Sequence, residues 1–98
     1  MAHRVSLVAR ADLDEMWQYV SQESGDPRIA DRLIDAITER FYLLSDWPLI
    51  GRTRNDLRVG LRSYPSGDYL IFYRIQDDDD VIIQRVLHGR RNLPALFG

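Results

Sequence analysis

The chain contains no cysteine and no lysine, and only two histidines, His3 and His88. Without cysteine there can be no disulfide, no thiolate zinc site and no thiol nucleophile. Without lysine the P-loop lysine, Schiff-base chemistry and a Ser–Lys pair all disappear. Two histidines are too few for a histidine metal cage, so neither a metal nor a cofactor is expected. Serines occur in no G-x-S-x-G setting, which argues against a hydrolase triad. Gly60 and Gly67 stand alone, not in a phosphate-cradling loop. No apolar run approaches the ~20 residues of a membrane span, and no signal-peptide pattern follows Met1. A cytoplasmic protein without membrane contact is expected.

What is present describes one globular domain over residues 1–98. Hydrophobic residues make up 45% and charged residues 29%, an ordinary balance for a packed core. All 13 basic residues are arginine, set against 15 acids. They are unevenly spread. Residues 51–98 carry eight arginines and six acids, and four of those acids form the run Asp77–Asp80. The C-terminal half therefore presents a basic surface, suited to an anionic partner.

Periodicity orders the elements. His3 to Val8 alternates as a short strand. From Ala11 the spacing becomes helical, with Leu13, Met16, Trp17 and Val20 on one face and Asp12, Asp14 and Glu15 in the first turn. Ser24-Gly25 ends this helix. Asp26-Pro27 starts a second, from Pro27 to about Asp46, with Phe41 and Leu44 in its core stripe and Trp47-Pro48 as its stop. The short connection makes the pair an antiparallel hairpin. Leu57 to Arg62 reads as a strand with one apolar and one arginine face. Pro65-Ser66-Gly67-Asp68 is a hairpin turn, and Tyr69–Gln76 and Val81–His88 are the next two strands. Asn92 to Phe97 forms a short helical tail. The expected fold is α+β, ordered β-α-α-β-β-β, a helical hairpin packed on a small, mostly antiparallel sheet.

Tyr69-Leu70-Ile71-Phe72-Tyr73 is apolar on both sides, so both sheet faces near it need cover. The helices cover one. A partner segment is expected on the other, the alternative being one of the chain's own ends. Alternation places Arg58 and Arg62 together, with Arg52 and Arg54 leading in, a cluster whose self-repulsion an anionic partner would relieve. The same half holds a set that could cleave RNA without metal. His88 would act as the base, and arginines such as Arg62 and Arg91 would surround the phosphate.

The segments Pro48-Leu-Ile-Gly-Arg52, Asp56-Leu57-Arg58, Gly60-Leu61-Arg62, Tyr69-Leu-Ile-Phe-Tyr-Arg74 and Arg85-Val-Leu-His-Gly-Arg90, with Ala11-Asp12-Leu13, resemble the ParE/RelE toxins of bacterial type II toxin–antitoxin modules. The resemblance spans nearly the whole chain and implies the same β-α-α-β-β-β fold. It implies a hetero-oligomer with an antitoxin, and no direct DNA binding without that partner. Trp17, Arg52, Arg58, Arg62, Tyr73, Arg74 and Arg85 are the expected antitoxin contacts. RelE-like members cut messenger RNA on the ribosome, using a basic residue where this chain has Leu70 and an acid–base group toward Phe97. The motifs resemble the ParE side more closely. That implies a poison of DNA gyrase with no catalytic residues, neutralised by a ParD-like antitoxin. The alternatives are a ribosome-dependent ribonuclease using Arg62, His88 and Arg91, and a non-toxic antitoxin-binding co-repressor.

Overall fold

The computed structural model describes residues 2–77, 79–91 and 93–97. Strand β1 (His3–Val5) leads into helix α1 (Leu7–Ser24), helix α2 (Pro27–Asp46) and a 3₁₀ turn at Pro48–Ile50. Strands β2 (Arg52–Thr53), β3 (Arg62–Ser66), β4 (Tyr69–Ile75) and β5 (Val81–His88) follow, and helix α3 (Leu93–Phe97) ends the described chain. The sheet order is β1-β5-β4-β3-β2, with β1 parallel to β5 and every other pair antiparallel. This is the expected helical hairpin on a mostly antiparallel sheet. Neither long helix is long and apolar enough to cross a membrane.

Local chemistry explains the boundaries. Ser6 is extended, and its hydroxyl accepts the Ala9 amide, so α1 begins at Leu7 rather than near Ala11. The first strand is correspondingly cut to three residues. Gly25, at φ 70°, closes α1 in the left-handed conformation that glycine reaches without strain. Asp26 then caps α2 through the Arg28 amide, with Pro27 at the first position. The β3–β4 turn is the pair Gly67-Asp68, with positive φ only at the glycine.

Of the strand that alternation suggests over Leu57 to Arg62, only Arg62 is in a strand. Arg54 donates to the Leu61 carbonyl, and its own carbonyl accepts from Leu57 and Arg58. Gly60 turns back at φ 82°, its amide held by the Asn55 side chain. Turn bonds thus replace ladder bonds, and pairing resumes only at Arg62.

Two apolar layers sandwich the sheet. On the helix side, Met16, Ile37, Phe41 and Leu44 pack on Ile71, Tyr73, Ile83 and Val86. On the reverse side, Leu61, Phe72 and Leu87 are covered by Leu93 and Phe97 of α3, with Leu57 and Leu70 at the margin. The expectation of a partner segment on the reverse face is corrected here. The chain's own C-terminal helix and the 55–60 loop cover that face at Phe72 and Leu87, and the Phe97 ring sits 4.8 Å from that of Phe72.

Candidate functional site

The arginines do not form one cluster. Strand alternation carries Arg62 to the helix side, beside Tyr73, where its guanidinium donates to the carbonyls of Gly51 (2.8 Å) and Leu49 (3.4 Å). Arg58 lies on the reverse side, donating to the Phe97 carbonyl at 3.2 Å with its guanidinium over that ring. Arg54 pairs with Asp56 and stands over Phe72. That pairing holds the Asp56 carboxyl below its ordinary range. Arg74 is half-buried on the same side against Gly60, and Arg52 is exposed on the edge strand. The sheet therefore divides the expected contact set.

Like Arg58 and Arg62, three further members of that set are occupied internally. Tyr73 is fully buried; its hydroxyl donates to the Pro48 carbonyl at 2.6 Å and accepts the Gly51 amide at 2.9 Å. Burial pushes its pKa up, against the pull of the Gly51 bond and the Arg62 charge. It is a clamp on the Pro48–Gly51 turn, not a surface contact. Arg85 is held by Asp12 through Nε and Nη2, at 2.8 and 3.0 Å, which raises its pKa. Trp17, expected also in the core, lies at the rim, where its indole N–H donates to Asp31 at 2.8 Å. Phe41 and Leu44 are core, as their spacing required.

The ribonuclease set is dispersed as well. Arg62 faces Tyr73 across the ladder, whereas His88 faces Tyr69, four residues along β4. At strand rise, that is about 13 Å. His88 uses Nδ1 to accept the Arg90 amide, at 3.1 Å, and its ring meets the edge of Tyr69. Leu70 packs into the reverse core and Phe97 is buried there.

What the fold assembles instead is a cleft beside the end of β5. Its volume is about 310 Å³, and Glu15, Met16, Tyr19, Tyr69, His88 and Arg91 line it. It exists because β1 stops at Val5, opposite Ile83, while β5 runs on to His88. The N-cap residue Ser6 and the α1 side chain Asp12 finish the edge in its place. Ser6 gives its amide to Ile83 O and its hydroxyl to Gln84 O, and Asp12 accepts the Val86 amide at 3.0 Å. By sequence Asp12 fits helix-start chemistry, but α1 begins five residues earlier. The signal lay in its phase, three residues after buried Ala9 and four before buried Met16.

The comparisons agree with this architecture. The model of the ParE toxin of type II toxin–antitoxin systems, parDE, matches residues 4–93. Toxin ParE3 of Caulobacter vibrioides is 38% identical over 87 residues, 89% of this chain and 85% of that protein. Toxin ParE1 of the same organism is 36% identical over 98 residues, covering 98% and 97%. Among solved structures, the chromosomal ParDE system from P. aeruginosa superposes with a TM-score of 0.78 at 21% identity, covering 90% of this chain and 95% of that one. The RelBE2 toxin–antitoxin complex from Mycobacterium tuberculosis gives 0.66 at 32% identity, covering 89% and 95%. The solved structures share the fold of this chain, and the family model with the two Caulobacter relatives shows that the chain belongs to the ParE toxin family of type II toxin–antitoxin systems.

Proposed function

We propose that this ParE-family toxin acts by binding DNA gyrase, without catalysis of its own, and is neutralised in a hetero-complex by a ParD-like antitoxin. The observation that carries the non-catalytic reading is the separation of Arg62 from His88 and Arg91. The guanidinium that would steady a phosphate is spent on the carbonyls of the Pro48–Gly51 turn. Held there, about 13 Å along the sheet from His88, it does not converge with the other two. The match of residues 4–93 to the parDE toxin supports an antitoxin partner, and the motifs' resemblance to the ParE side supports gyrase as the target.

Supercoiling by purified gyrase, titrated with the purified toxin, tests the reading. Loss of supercoiling that an added antitoxin restores is expected; unimpaired gyrase at saturating toxin rejects it. The ribonuclease reading draws on the likeness to the RelBE2 complex. It requires codon-phased cuts in translated message, lost in Arg91→Ala. Growth arrest on expression without antitoxin separates both readings from a non-toxic co-repressor.

A further inference from the structure

The hydrogen-bond pattern at the end of β5 leaves one specific vacancy. Gly89 donates to Asp68 O, toward the β4 side, so the groups of Leu87 and Gly89 point inward along the ladder. Those of Val86 and His88 point outward, as the Val86 amide does in reaching Asp12. Two of these four outward groups are taken. Asp12 holds the Val86 amide, and the Arg91 amide donates to His88 O at 3.0 Å. The Val86 carbonyl and the His88 amide remain, and among the described residues neither has an edge-side partner.

The identity of these two groups fixes a direction. An antiparallel strand bonds to the amide and carbonyl of one residue. A parallel strand sets one of its residues between the carbonyl of i and the amide of i+2. Asp12 and Arg91 have removed half of each antiparallel pair and left the parallel one intact. The lane is also that of β1, which already runs parallel to β5 as far as Val5.

We propose that this edge receives an extended segment of the antitoxin as a parallel strand continuing the line of β1; this rests on the partner reading above. The bridging residue lies opposite Leu87, in the register that Arg4 takes with Ile82. Its two neighbours then point to the helix side, into the cleft. There Met16, Tyr69 and Val86 present apolar surface. Asp12 is neutralised by Arg85, whereas Arg90 and Arg91 stand where β5 ends. In the parallel direction, these cations meet the residues that follow the apolar ones. The segment is therefore apolar first and acidic after, an order that an antiparallel strand would reverse.

The probe is the acetylated, amidated peptide Leu-Val-Leu-Glu-Glu, with amide exchange at His88 as the readout. Saturating peptide is expected to slow that exchange about tenfold or more, and Arg91→Ala to weaken binding about tenfold. Glu-Glu-Leu-Val-Leu, or the first peptide N-methylated at its valine, should give neither effect. Unchanged exchange at His88, or equal binding of the N-methylated peptide, overturns the proposal. In the complex with antitoxin, an unprotected His88 amide would overturn it while leaving the neutralisation reading intact. Gyrase left uninhibited would do the reverse.

Discussion

The Asp12 carboxylate accepts both the guanidinium of Arg85, at 2.8 and 3.0 Å, and the amide of Val86, at 3.0 Å. One side chain on α1 thereby anchors the helix to the sheet, neutralises an arginine and replaces a missing strand. The site is sheltered, with side-chain exposures of 10% for Asp12 and 22% for Arg85.

Asp12→Ala is expected to cost about 3 kcal/mol, because it strands a sheltered cation and a strand amide together. Asp12→Asn keeps an acceptor for Val86 and should cost less. Arg85→Met should be milder still, since the Asp12 carboxylate retains its amide donor. Urea unfolding gives this order; a loss below about 1 kcal/mol for Asp12→Ala would show that water fills the gap freely.

Tyr73→Phe removes the acceptor of the Gly51 amide inside the core, and about 1–3 kcal/mol should be lost. Gly51 is glycine for room rather than for conformation, since its φ is −71°. A Cβ there would collide with the Tyr73 hydroxyl. Gly51→Ala should therefore destabilise the protein, and Tyr73→Phe combined with it should recover part of that loss. Simple additivity in the double-mutant cycle would contradict the steric account.

His3 lies between Phe41 and Tyr42, with Nδ1 at 3.1 Å from the Ser45 hydroxyl. Burial lowers its pKa from the ordinary 6.5. The unfolded chain thus takes up this proton at higher pH than the folded one. His3's contribution is complete above pH 6.5 and is lost as pH falls through the lower folded value. Urea midpoints at about pH 8 and about pH 5.5 should diverge for the wild type, and His3→Gln should narrow the gap. An unchanged gap would assign the acid sensitivity to carboxylates.

Phe97→Ala should uncover Phe72, Leu61 and Leu87 and cost about 3 kcal/mol. Stronger binding of a hydrophobic dye in the folded state would report the opened reverse face. Unaltered stability and dye binding would mean that α3 contributes no cover in solution.

Where local chemistry is decisive, the residues announced the structure. Asp26-Pro27 and Gly25 bound the helices as their backbone preferences require, and β5 spans Val81–His88 as its pattern implies. The misreadings arose where distant segments decide. Ser6 is a strand-like residue until its hydroxyl is seen on Ala9, and Leu57 and Leu61 alternate although the chain between them folds into turns. The candidate site was less legible than the fold. The arginines that looked like neighbours in sequence fall on opposite sheet faces, and Asp12 gains its meaning only when β1 stops short of it.

The pairing of β1 with β5 joins residues 78 positions apart. A nascent chain cannot complete its sheet until residue 88 has left the ribosome, because the strand that the N-terminus needs is the last to be made. Residues 3–88 must therefore all be made before β1 has its partner, and the N-terminal strand stays unpaired until then.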